Sequence, residues 1–207
     1  MENRGAAVRV LQSGLVSSVR RVVHGPGRLD RRVERVGEVL RLFLGQEDLL
    51  LPEQRETDPA SYRQHLLHAE ADGSFSIVAL AWLPGQQTSI HDHVCWCAIG
   101  LHQGIEREES FEIDGDGSGR VLMPLGTQHF QVGDVATLVP PGDIHRVENP
   151  GPGPAISIHV YGTDIRAAGT SIRRRYDLPV LRPASVPPPG DAIPVRVLGV
   201  PQGPAHP

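Results

Sequence analysis

The chain has 207 residues, a hydrophobic fraction of 39% and a formal net charge of −4, enough apolar material for one buried domain with appendages. A mildly acidic chain without a long Lys/Arg run lacks the electrostatic footprint of a nucleic-acid or anionic-membrane surface. No apolar run reaches the length of a spanning helix, and no basic start precedes an apolar stretch and cleavage site, so a soluble, cytoplasmic protein acting on small molecules is expected.

In chain order, Val8, Leu11, Leu15, Val19, Val22 and Val23 recur near helical spacing until Gly25-Pro26-Gly27 stops the pattern. Asp30 is expected to cap a second helix whose apolar positions, Val33, Val36, Val39, Leu40, Phe43 and Leu44, end at Gly45. Residues 1–60 thus read as a helical region packed on the remainder of the domain. From Phe75 the texture changes: "FSIVALAWL" is a continuous apolar run of strand length. In "IEREESFEID", Ile105, Phe111 and Ile113 alternate with Glu106, Glu108 and Glu112, and the acidic face is expected in solvent. The cluster Asp114 to Gly119 is a turn, followed by short strands expected at 121–123, 128–132, 135–139 and 155–161. Strands without interleaved helices predict a sandwich or barrel over residues 61–176. Beyond it, residues 177–207 form a tail with repeated prolines, among them Pro187-Pro188-Pro189, extended on the barrel or free and without assigned chemistry.

The stretch "SIHDHVCWC" carries the first sign of chemistry. On a strand, His91 and His93 project from one face and can converge on an ion, while Asp92 faces away. A histidine pair alone suits a hydrogen-bonded core equally well, so a third ligand is needed; "PPGDIHRVEN" supplies His145 directly after a Pro-Gly turn. Cys95 and Cys97 would share a strand face, too parallel for a mutual disulfide, and read as reduced thiols. Cys95, Trp82 and Trp96 are expected to pack. In "SIHVYG", Ser157, His159 and Tyr161 share one face of a strand, an inward polar row that must be hydrogen-bonded or functional. The residues alone leave two readings, a satisfied core chain in which His159 bridges a hydroxyl and a phenol, or, beside a metal motif, a relay in which His159 and Ser157 orient the Tyr161 hydroxyl. The other histidines, His24, His65, His68, His102, His129 and His206, fit no ligand pattern, though His65 and His68 lie where an entrance could be.

These motifs resemble the cupin superfamily. Gly85, His91-Asp92-His93, Cys97 and Gly104 follow the spacing of its first motif, and Pro140 to Asn149 fits the second, although Gly133 lies one residue further from Pro140 than is usual. Most cupins place a glutamate ligand where this chain has Cys97. That departure resembles the cysteine dioxygenase (thiol dioxygenase) family, which holds ferrous iron with three histidines and carries a Ser-His-Tyr relay matched by Ser157, His159 and Tyr161. The resemblance covers about Tyr62 to Gly162 and implies an all-β, jelly-roll-like cupin barrel preceded by α-helices. It implies Fe(II) on His91, His93 and His145, with nickel or zinc as other metals, and transfer of both atoms of O2 to the sulfur of a small thiol carboxylate. It also implies a thioether between Cys97 and Tyr161.

For the substrate, the cysteine-specific members place an arginine two positions after a tyrosine, where Tyr62 is followed here by Gln64. Glutamine there resembles the relatives that use 3-mercaptopropionate, but those usually have glycine at the place of Cys97. The two markers disagree; L-cysteine is taken first, with 3-mercaptopropionate or oxidation beyond the sulfinate as alternatives. Arg166 and Arg173 are the candidate carboxylate partners. A zinc site with an activated water, or a non-catalytic metal-binding cupin, would keep the three histidines. The protein is expected to be a monomer or homodimer.

Overall fold

The structure is a computed structural model and describes residues 2–181; the triple proline at 187–189, His206 and most of the expected tail lie outside them. The chain opens with α1, Glu2–Val23, and α2, Leu29–Arg41. Val8, Leu15, Val19 and Val22 of α1 and Val33, Val36 and Leu40 of α2 are buried, as their spacing requires. The cap differs from the expectation. Arg28 occupies the N-cap position without a side-chain capping bond, and Asp30 lies inside the first turn, where a carboxylate faces the positive end of the helix dipole. Phe43 and Leu44 fall in the turn beyond α2.

Ten strands follow: β1 Arg63–Ala69, β2 Ser76–Trp82, β3 His91–His93, β4 Cys97–Gln103, β5 Ile105–Asp114, β6 Val121–Gln131, β7 Val135–Leu138, β8 His145–Glu148, β9 Ala155–Tyr161 and β10 Ile172–Arg175, with a one-turn helix, α3 Ile165–Ala168, before the last. They form two five-stranded sheets, β1-β2-β9-β4-β7 and β10-β3-β8-β5-β6, in which the named strands pair antiparallel. The molecule is a barrel of two antiparallel sheets with helices against one of them, the architecture that the resemblance implies. That layering explains why β2 is apolar throughout. Ile77, Ala79 and Ala81 meet Leu15, Val19, Val36 and Leu40 of the helices, whereas Val78, Leu80 and Trp82 face the barrel interior. Gly100 lets α2 come close: a Cβ there would lie 2.7 Å from Leu44 Cδ1 and 3.0 Å from Leu40 Cδ2.

Two strand expectations change. The carboxylates of β5 do not share one solvated face: Glu112 is exposed as expected, but Glu106 and Glu108 are each 3% exposed, whereas Ile105 is 43% exposed. Glu109 is buried too, and past the irregularity at Ser110/Phe111 the buried residue is Phe111. The strands expected at 121–123 and 128–132 are one eleven-residue strand, β6. Pro124 is tolerated because β6 is a sheet edge and needs no donor on its free side. Beyond β10 the chain runs on along β6, with Leu122 donating its N–H to Pro179 and Leu178 and Val180 packed beside Phe111 and Leu122.

Candidate metal centre

β3 presents His91 and His93 on one face, and the Cα pairing of His91 with His145 brings the first residue of β8 alongside. The three ligand atoms lie within 4.8 Å of one another, and all three residues are buried. What holds the rings also fixes their protonation. His91 Nδ1 lies 2.9 Å from the Ser89 carbonyl, His93 Nδ1 2.9 Å from Asp143 Oδ2 and His145 Nδ1 2.7 Å from Glu108 Oε1. Carbonyl and carboxylate oxygens accept, so each Nδ1 donates and each Nε2 is left with a lone pair. His145 Nε2 is buried without a protein partner. Burial, with the neighbouring His145 and His93, pushes the pKa of His91 down to about 3. Burial lowers His93 too, against the pull of Asp143. Against the raising effect of its own burial, hydrogen bonds from His93 hold the Asp143 carboxyl below its usual range. Three imidazoles that turn Nε2 inward, with each Nδ1 engaged by Ser89, Asp143 or Glu108, could hold one divalent cation.

Asp92 faces away from this centre, as expected, and accepts hydrogen bonds from Tyr176 at 2.7 Å and from Arg173 Nε at 3.2 Å. Arg173 is thereby committed to Asp92 and does not line the cavity above the histidines. Arg166 is exposed and bound to its own helix cap, Asp164, at 2.8 Å. Both corrections have one cause, a nearby carboxylate that captures the guanidinium. The arginine that does reach the cavity is Arg175, opposite His91 in the β10–β3 register and in no ion pair among the described residues. In "SIRRRY" the signal was present but ambiguous between neighbours.

The cavity has a volume of about 260 Å3. Gln64 and Tyr62 line it opposite β10, and the Tyr62 ring lies over Trp82 with centroids 4.4 Å apart. Arg63 turns outward to Glu56. No Asp or Glu is among the lining residues. His65 and His68 bond Glu56 and Glu70 and do not line the cavity.

The inward face of β9 supplies the other wall. Ser157 Oγ is 2.9 Å from His159 Nε2, and Tyr161 Oη is 3.1 Å from His159 Nδ1. Trp82, read only as a packing residue in the sequence, donates its indole N–H to Ser157 Oγ at 3.2 Å. Burial, reinforced by the three metal-site histidines, pushes the His159 pKa down to about 3, and burial drives the Tyr161 phenol well above its usual value. Both are neutral near pH 7. Cys97 lies directly across from Tyr161 on β4, with Sγ 4.0 Å from His159 Nδ1. Both cysteines are free thiols; burial pushes Cys95 up to about 11 and Cys97 higher than usual. Asp143, Glu108 and Trp82 were not singled out as site residues, although Asp143 stands two residues before His145 in the quoted motif.

The family model for cysteine dioxygenase type I matches residues 54–168, more than half of the chain. The chain belongs to the cysteine dioxygenase type I family. A curated member, "Cysteine dioxygenase type 1" of Danio rerio, is 30% identical over 119 residues. That match spans 56% of this chain and 59% of the fish protein, so the chain spans about three fifths of that relative's length. Solved structures similar to this cysteine dioxygenase family member include a conserved protein with a double-stranded β-helix domain from Klebsiella pneumoniae, 20% identical over 54% of this chain and 85% of that one, TM-score 0.40. A cupin 2 barrel protein from Salinispora arenicola is 22% identical over 54% and 84%, TM-score 0.37. No helix among the described residues is long and apolar enough to cross a membrane.

Proposed function

We propose that the protein is a mononuclear iron thiol dioxygenase that adds both atoms of O2 to the sulfur of a small thiol carboxylate, with L-cysteine first. The observation that carries the reading is the convergence of three Nε2 lone pairs on the wall of a cavity that also presents Tyr161 and Arg175. His91, His93 and His145 would hold ferrous iron, which supplies the charge that keeps a coordinated thiol deprotonated and the redox chemistry of dioxygen. Arg175, with Gln64 across the cavity, would receive the substrate carboxylate. Leu80, Trp82 and Val147 contribute apolar lining to the same cavity. Tyr161 holds a proton at Oη, and His159 and Ser157 keep that hydroxyl oriented. Cys97 and Tyr161, facing each other across the β4–β9 ladder, would become joined by a thioether in a two-electron oxidation by O2, which takes up the thiol hydrogen and one ring hydrogen, visible in the intact mass as the loss of both hydrogens.

A second reading, 3-mercaptopropionate as substrate, is favoured by one observation: the cavity offers a cation for a carboxylate but no Asp or Glu for an ammonium group. Oxygen uptake by ferrous-loaded protein with L-cysteine, 3-mercaptopropionate and cysteamine, with sulfur products identified by mass spectrometry, decides between them. A sulfinate product is expected, and the preferred thiol names the substrate. Tyr161→Phe is expected to lower kcat by about 100-fold while metal content stays unchanged. No uptake with any thiol, despite bound iron, would refute the proposal.

A further inference from the structure

Behind the Ser157–His159–Tyr161 row, away from the metal centre, lies a carboxyl group with no role in the chemistry above. Glu106 of β5 is 3% exposed, the Ser157 hydroxyl is the neighbouring side chain that favours its ionised form, and its Oε1 is buried without a partner. The groups around it are apolar except for two. Ile99 and Leu101 of β4, Phe130 of β6, Ala136 of β7 and Val147 of β8 surround it, Glu108 lies along its own strand, and β9 contributes Ser157. Nothing on the facing strands offers a cation, so Glu106 is not half of a buried ion pair.

Counting donors along the row leaves two consistent arrangements. Trp82 N–H can only donate, and it fills one lone pair of Ser157 Oγ. When Glu106 is neutral, its O–H fills the second lone pair. Ser157 must then donate to His159 Nε2, His159 carries its proton on Nδ1 and donates it to Tyr161 Oη, and the Tyr161 proton points toward Ser171 and the cavity. When Glu106 is ionised it can only accept, so Ser157 donates to it and accepts from His159 Nε2–H. Nδ1 then holds a lone pair, and Tyr161 turns its proton back onto it. Ser157, His159 and Tyr161 each keep one proton in both arrangements; the one lost to solvent is that of Glu106.

We propose that Glu106 is a positioning residue that terminates the Ser157–His159–Tyr161 chain and sets which way the Tyr161 hydroxyl points. The inference rests on the thiol dioxygenase reading for its consequence, presentation of a proton to the reacting groups, but its geometry stands without it. Burial, with Glu108 adding to it, raises the Glu106 pKa to about 7 although Ser157 opposes the shift, which places the reversal near neutrality.

The test is the tautomer of His159, read by NMR of full-length protein labelled with 15N-histidine, recorded metal-free and with diamagnetic zinc, and assigned with His159→Gln. The expected wild-type result is the Nδ1–H form at about pH 5.5 and a shift toward Nε2–H at about pH 8.5, on either side of the Glu106 midpoint. Glu106→Gln, whose amide donates to Ser157 like the neutral acid, is expected to hold Nδ1–H at both values. Glu106→Leu should abolish the pH response without fixing that form. A wild-type tautomer that does not change with pH, or identical behaviour of the Gln and Leu variants, overturns the proposal. Failure of the metal reading would appear separately, as the absence of zinc-induced shifts at His91, His93 and His145.

Discussion

Replacing Arg175 by glutamine removes the cavity's cation while leaving β10 paired to β3. KM for a thiol carboxylate is expected to rise about 10- to 100-fold, the size of a lost charge-assisted hydrogen bond, with cysteamine, which has no carboxylate, nearly unaffected; steady-state kinetics on both thiols checks this. Glu106 makes a second prediction, on stability. Its folded pKa, about 7, lies above the ordinary value of 4.5, so the folded state binds more protons than the unfolded state between those values. Stability contributed by the neutral acid is therefore full below about pH 4.5 and is lost as pH rises toward 7, by roughly 3 kcal/mol in all. Glu106→Gln should remove that loss, so the difference in Tm between variant and wild type is expected to grow in favour of the variant from pH 5 to pH 8. The metal triad was legible because strand alternation places His91 and His93 together and the Pro-Gly turn of the second motif leads directly to His145. Arg175 was not, because the register slips between Ile172 and Arg174, so that simple alternation no longer tells which arginine turns to Asp92 and which to the cavity.

At the scale of elements, the acidic face of β5 shows where pattern reading stops. Alternation states that two faces differ, but not which one the barrel encloses. Glu108 is inside because His145 needs an acceptor for its Nδ1–H, and Glu106 is inside opposite Ser157; neither reason exists until β5, β8 and β9 are assembled. The run of β2 was easier, since a strand covered by helices on one side and lined by the cavity on the other must be apolar on both. The join between α2 and β4 carries its own prediction. A methyl group at Gly100 must displace Leu40 and Leu44, so Gly100→Ala is expected to destabilise the fold by about 1–3 kcal/mol, measured by urea unfolding, with the cavity lining and metal content unaffected.

For the whole molecule, the cupin architecture was legible from the two motifs and the string of short strands, whereas the course of the chain past Tyr176 was not. Residues 177–181 lie along β6 through one backbone ladder and a few apolar contacts, and the preceding residues carry no hydropathy pattern that announces it. The sheet order also divides the labour of the proposed enzyme. The groups assigned to the reaction sit on strands bordered by others on both sides: β3 and β8 carry the histidines, and β9 carries the tyrosine row. The groups assigned to substrate recognition, Gln64 on β1 and Arg175 on β10, sit on the outer strand of each sheet. Gln64→Arg is expected to change the ratio of kcat/KM between L-cysteine and 3-mercaptopropionate with bound metal unchanged, checked by kinetics and metal analysis in parallel. A scaffold laid out in this way can alter its diet by mutation at its margins while the reactor in the middle is inherited intact.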